Sequence, residues 1–360
     1  MNPRMMLAAL PLVLMIALPA SAQDSSPDVG DSAYVAGEYR VFTGAGEPAS
    51  IDDIVAAMGN RTVVFVGETH DDPTGHMLEA ELLKRAYEAY GAPGSNDGAP
   101  RPVALSLEFF QRDAQPILDE YLAGLITEKS FRNASRPWPR YETDYRALIE
   151  FSKENGLSVI AANSPRRYAT RVTMHGRESL NDLSPEALAS LAPLPYGDPT
   201  EEYRDQWIQI IMEVMEEEGM KCGLPIPEPE EGEEAIEARA PAGSHDNMGN
   251  QLHSQVLWDA TMAYWISQYL AQQPDALVLH MVGGFHVERG TGTPEHLEVY
   301  RPGTRRMIVV VQPVADIDTF EPATEGEWGD FVIQTDMSHT LEEIECREYL
   351  AELEADTRQD

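Results

Sequence analysis

Two copies of the pattern Gly-x-x-His, Gly67 to His70 and Gly283 to His286, each follow an apolar, β-rich run. The first run ends in Gly67-Glu68-Thr69-His70, a second ends in Leu107-Glu108, and a third soon reaches Gly283-Gly284-Phe285-His286. Glu68 and His70 are two apart, so an extended chain points both to one side. Together Glu68, His70, Glu108 and His286 could give a divalent cation a mixed nitrogen and oxygen shell, or hold a polar ligand with one carboxylate as general base. Taken singly, each is as well explained by a buried hydrogen-bond network. It is the set, at successive strand ends, that points to a site. His280 reads as a core histidine inside its strand, and His76, close to Asp71 and Asp72, reads equally as an exposed residue or a rim ligand.

A second cluster is Trp138-Pro139-Arg140-Tyr141 with Tyr145, followed after another apolar run by Asn163-Ser164-Pro165-Arg166-Arg167-Tyr168. Rings that stack, guanidinium groups that take carboxylates, and a phenolate able to ligate iron would suit a flat anionic ligand. Plain packing accounts for the aromatics as well. There is no Gly-x-Ser-x-Gly elbow, phosphate-cradling Gly-rich loop with Lys, His-Glu-x-x-His helix or Cys-x-x-Cys pair. Cys222 lies in acidic, Pro-rich sequence that raises a thiol pKa, which argues against a nucleophilic cysteine.

The elements that must position these groups alternate. Apolar β-rich runs at 62–66, 103–107, 157–161, 276–279 and 307–311 are separated by helical patterns at 76–90, 114–122, 144–155 and 252–272. Such alternation predicts an α/β fold: a mostly parallel central sheet flanked by helices, with ligands at the carboxyl ends of its strands. Residues 51–183 and 249–320 supply that domain. Between them 184–248 breaks the pattern and reads as a helical, acidic insertion, with a proline- and glutamate-rich loop near 225–237. Residues 23–50 read as a loose lead-in and 321–360 as an acidic C-terminal segment.

Arg4, an apolar run to about Leu18 and then Ala20-Ser21-Ala22 have the layout of a cleaved secretory signal at 1–22. No second such run follows, and no cysteine follows the signal to carry a lipid, so the expected protein is periplasmic or secreted, with no membrane span. The 61 acidic and 26 basic residues give a formal charge of −35. That excludes a nucleic-acid partner, which needs a basic footprint. Only Lys84, Lys129, Lys153 and Lys221 are lysines, and the acids are spread throughout, as on a solvated acidic surface. Cys222 and Cys346 are compatible with one disulfide, but sequence alone does not show that they meet.

These motifs, taken in order, resemble the ChaN-like haem-binding uptake family, within the wider group of Tiki, TraB and the erythromycin esterases. The resemblance rests on Gly67 to Asp71 with His76, Leu107 to Arg112, Trp138 with Tyr141 and Tyr145, and Ala161 to Asn163 with Pro165-Arg166. It continues through Gln255, Trp258-Asp259, Met262-Ala263 and Gly283 to Val287. It implies an exported protein of haem and iron uptake, with haem held between the subunits of a homodimer, iron met by a tyrosine such as Tyr141 or Tyr145, and Arg166 and Arg167 near the propionates. The Tiki and esterase relatives imply the alternative, a metal-dependent peptidase or esterase in which Glu68, His70, Glu108 and His286 hold a divalent metal ion or activate water. The chain departs from lipoprotein members of the family in lacking a lipobox cysteine.

Overall fold

The computed structural model describes residues 37–95, 100–217, 220–222, 224–225, 245–322 and 325–357. The signal at 1–22 and most of the proline-rich loop lie outside them. Along the chain run β1 (Tyr39–Thr43), β2 (Pro48–Ala49), α1 (Ile51–Ala57), β3 (Val63–Glu68), α2 (Pro73–Ala86), β4 (Val103–Gln111), α3 (Gln115–Leu122), α4 (Glu128–Ser135), α5 (Arg146–Asn155), β5 (Ser158–Asn163) and α6 (Arg166–His175). The insertion adds α7 (Pro185–Leu188), α8 (Glu201–Glu217), β6 (Met220–Lys221) and β7 (Leu224–Pro225). Then come α9 (His245–Gln272), β8 (Leu277–Gly283), α10 (Thr293–Tyr300), β9 (Arg306–Val314), β10 (Phe331–Asp336) and α11 (Leu341–Thr357).

Eight strands form one sheet in the order β2-β1-β10-β9-β3-β8-β4-β5. The six from β10 to β5 are parallel, and β1 and β2 close one edge antiparallel. The central strands are apolar on both faces because both are covered. In β3, Val64 and Val66 pack into the layer of α1, α2, α3 and α5, while Val63 and Phe65 face α9. The five apolar runs all become strands.

Two stretches read as peripheral carry strands as well. Tyr39–Thr43 lies in the expected lead-in and Phe331–Asp336 in the expected acidic segment, and they pair with each other antiparallel, with β10 joining β1 to the parallel strands. Their sequences are short, and that of β1 is exposed over its first half, so neither shows the continuous apolar run that marks a buried strand.

The insertion is no appendage. Leu191, Tyr196, Tyr203 and Trp207 form a third core with Leu252, Val256 and Leu257 on the first half of α9. Cys222 and Cys346 form a disulfide across 124 residues, fastening the segment after α8 to α11.

Candidate functional site

Insertion of β8 between β3 and β4 brings the residues together. Gly283 at the end of β8 sits opposite Glu68 at the end of β3, and it donates its N–H to Glu108 Oε2 on β4 at 2.9 Å. The glycines of the two motifs make this approach possible. A Cβ on Gly67 would come 2.8 Å from Val287 Cγ2 and 3.0 Å from Gly284 Cα, and one on Gly283 would come 2.9 Å from His70 Cε1. Each motif's glycine is where the other motif's chain crosses.

The first imidazole is tied down by the residue two before it. His70 Nδ1 lies 2.6 Å from Glu68 Oε1, which also accepts from the Tyr145 hydroxyl at 3.1 Å. Asp72 caps α2 by accepting from Thr74 N, with Pro73 in the first turn, and the helix so started turns His76 and Glu79 inward. His76 Nε2 lies 3.0 Å from Glu68 Oε2, and its Nδ1 lies 3.7 Å from Asp144. His76 is therefore a buried support of Glu68, not an exposed or rim residue. Burial would raise the Glu68 carboxyl, but its bonds to His70 and His76 outweigh that and hold it well below the ordinary carboxylate range. Glu79 is wholly buried, and burial together with the Glu68 charge pushes its carboxyl the other way, well above the ordinary carboxylate range.

The second imidazole has its own acid. His286 Nδ1 lies 2.9 Å from Asp259 Oδ1, which also accepts from Thr293 Oγ1 at 2.7 Å, while Asp259 Oδ2 accepts from the Tyr203 hydroxyl. On its other side His286 Nε2 lies 3.7 Å from Glu108 Oε1. Burial pulls this imidazole down, but Asp259 and Glu108 outweigh it and raise it to about 9. His70 is also raised: burial lowers it, and Glu68 and Glu108 more than reverse that. The site is thus two carboxylate–imidazole pairs that both feel Glu108. His280 is separate from it: fully buried, bonded to Ser106 and lowered to about 3 by burial, it is a neutral core residue.

The aromatic and arginine cluster divides. The hydroxyls of Tyr141 and Tyr145 do not form an open iron ligand. Tyr145 is stacked on Phe109 with ring centroids 3.8 Å apart and donates to Glu68, and Tyr141 is buried among Phe110 and Phe131. Burial pushes both phenols far above their usual pKa, so neither is a ready phenolate. The arginines, in contrast, are exposed. Arg136 and Arg167 share Asp113, Arg140 pairs with Asp144 and donates to the His70 carbonyl, and Arg166 stands at the start of α6. Arg136 and Arg140 both have left-handed backbones, φ 54° and 60°, and the bend between them lays Trp138 against His70 at 5.0 Å. Such conformations are unfavourable for non-glycine residues and collect at functional sites.

His70 and His286 each turn Nδ1 to a carboxylate, Glu108 accepts from the backbone, and among the described residues no group of three or more His, Cys, Asp or Glu side chains is arranged to hold a metal ion. Sequence reading missed the supporting roles of Asp259, Tyr203, Thr293 and Glu79. For Asp259 there was a signal, an acid within the apolar pattern of a long helix. For Tyr203, inside the insertion, there was none.

A parallel sheet with its polar groups gathered past the strand ends is the architecture of an α/β ligand-binding or hydrolytic protein. The chain belongs to the family described as haem-binding uptake, Tiki superfamily, ChaN, whose pattern matches residues 54–297. Among solved structures it is similar to ChaN of Campylobacter jejuni, described as binding haem cofacially, with a TM-score of 0.56 and 16% identity over 82% of this chain and 96% of that one. At that identity the likeness concerns the fold. An erythromycin esterase gives a TM-score of 0.40 at 10% identity, covering 77% of each chain. Among curated proteins it is similar to RETICULATA-RELATED 5, chloroplastic, of Arabidopsis thaliana, 24% identical over 71% of this chain; the match spans 31% of the plant protein's length. Among the described residues no helix is long and apolar enough to cross a membrane.

Proposed function

We propose that the protein binds haem at the strand ends and serves haem or iron uptake at the cell envelope. One observation carries this reading beyond family membership. In a chain of formal charge −35, four exposed arginines stand past the strand ends, Arg140 on the carbonyl of His70, Arg136 and Arg167 on Asp113 and Arg166 at the start of α6, and the 48% exposed imidazole of His70 has an indole against it. Haem has an apolar face for Trp138, two propionates for guanidinium groups and an iron that takes imidazole. Arg166 and Arg167 would hold the propionates. His70, whose Nδ1 is engaged by Glu68, would offer Nε2 to iron, since an acid behind an imidazole fixes its tautomer and raises its basicity. Export is supported by the signal-like start and by the disulfide, a bond at home in oxidising compartments. Haem shared between two copies of the chain is consistent with this open face.

Titration of the purified protein with haemin tests the reading. A saturable Soret shift is expected, with His70→Ala weakening binding at least about tenfold and changing the ligand-field bands. The absence of any saturable shift would end the proposal, and an unchanged spectrum in His70→Ala would return the iron to another ligand. Sedimentation with and without haemin reads the dimer.

A hydrolase is favoured by a different observation, the two acid-backed imidazoles disposed about Glu108. His70, the exposed one, could in its neutral form take a proton from water, as a general base does, while the His286 cation would stabilise developing negative charge. Turnover of chromogenic esters or peptides that His70→Ala abolishes without unfolding the chain would establish it.

A further inference from the structure

A groove of about 520 Å³ follows the free edge of the sheet along the first half of β5, between α3 and α9. None of its lining residues belongs to the strand-end site. Its size lies within the range of small-molecule sites.

The cations in it are held in an unusual way for so acidic a chain. The Arg112 guanidinium lies 3.6 Å over the Trp265 ring, and the Lys153 ammonium lies 3.7 Å over the Tyr121 ring. Arg112 donates to Gln115 Oε1, and among the described residues neither cation is in ion-pair contact with a carboxylate, although 61 acids are available. Arg112 is partly buried, and burial lowers it to about 10 although Asp119, a carboxylate on the same groove that accepts from Gln115 Nε2 at 2.8 Å, partly offsets it. A guanidinium withdrawn from water with no carboxylate in direct contact gains from a charge-assisted hydrogen bond to an anion.

The floor of the groove argues against an added peptide strand. Two outward backbone groups in the middle of β5 are already taken: Gln115 donates to Val159 O and accepts from Ala161 N, both at 2.8 Å. The edge is closed by a side chain that mimics a neighbouring strand. What stays open is a slot with Trp265 and Tyr269 on one wall, Leu122 on the other, and two cations.

We infer that this groove is a second binding site, for a small planar aromatic anion whose carboxylate or sulfonate meets Arg112 and Lys153 while its rings lie against Trp265 and Tyr269. Anilinonaphthalene sulfonate, a fluorescent molecule of this class, is the probe. Natively folded full-length protein should bind one equivalent, with weaker binding as salt rises. Arg112→Gln should weaken binding about tenfold, the loss expected for one charge-assisted bond. Lys153→Gln should weaken it less, and Ser158→Trp, placed at an exposed floor position, should block it. His70→Ala should bind as the parent does. Lack of saturable binding, equal affinity in Arg112→Gln, Lys153→Gln and Ser158→Trp, or loss in His70→Ala would each overturn the assignment. If Arg112→Gln does not fold, the Lys153 and Ser158 variants decide alone.

Discussion

His70 and His286 stand at the same place in two copies of one motif, yet the first side chain is 48% exposed and the second 7%. Both are anchored at Nδ1 by a fully buried acid, Glu68 or Asp259. What differs is the cover. His70 looks out past Trp138 and the arginine bend, while α9 and the third core close over His286. Its companion acid has other support too. Glu68 also has His76 and Tyr145, but among the described residues Asp259 has only hydroxyl donors besides His286. One motif thus yields an accessible group resting on a self-sufficient network, and a structural cation on which its network depends.

The same truncation should therefore have opposite consequences. His286→Ala removes what is, among the described residues, the one cationic partner of a buried carboxylate, a change that costs about 3–5 kcal/mol. His70→Ala leaves Glu68 paired and removes a half-solvated ring, so less than about 1 kcal/mol is expected. Urea or guanidinium unfolding of the two variants measures the difference. Equal losses would break the comparison.

The pH dependence sharpens it. His286 is raised from 6.5 to about 9 in the folded chain, so its contribution is fully present below pH 6.5 and is lost as pH rises through about 9. Melting temperature should fall over that window, with a stability change on the order of 2–3 kcal/mol, and His286→Ala should flatten the alkaline limb. His70 is raised as well, so haem ligation through it should weaken on acidification at a higher pH than for a free imidazole, because the proton competes for Nε2.

Much of this was legible in the sequence, for stateable reasons. Central strands such as Val63–Glu68 are covered on both faces and leave continuous apolar runs, and parallel topology then sends Glu68 and His286 to one end of the sheet. β1 was hidden because a half-exposed strand has no such run, and β10 because the polar Gln334 and Thr335, though buried, cut its apolar run to Phe331-Val332-Ile333. The burial of Tyr141 and Tyr145 was hidden for another reason. Residue types in a pattern suit both stacking on a ligand and packing in a core, and only the layer formed by Phe109, Phe110 and Phe131 decides between them. Tyr203 reaches Asp259 across 56 residues, from an insertion whose length and acidity suggest nothing about a site.

That long-range contact gives the smallest and most discriminating effect. Tyr203 is fully buried, and burial together with the Asp259 charge keeps its hydroxyl protonated, so it is a fixed donor. Tyr203→Phe keeps the ring against Phe285 and removes only the O–H. Losing one hydrogen bond to a buried acceptor costs about 1–2 kcal/mol. The donor also disperses charge that Asp259 would otherwise present to His286. Without it the carboxylate pulls harder on the imidazolium, and His286 should titrate above its parent value while His70, which shares no partner with Tyr203, stays where it was. Proton NMR of the two imidazoles reads both at once. A downward shift of His286 would mean that Asp259 had taken up a proton, and movement of both rings together would mean that the insertion supports the whole site and not one half of it.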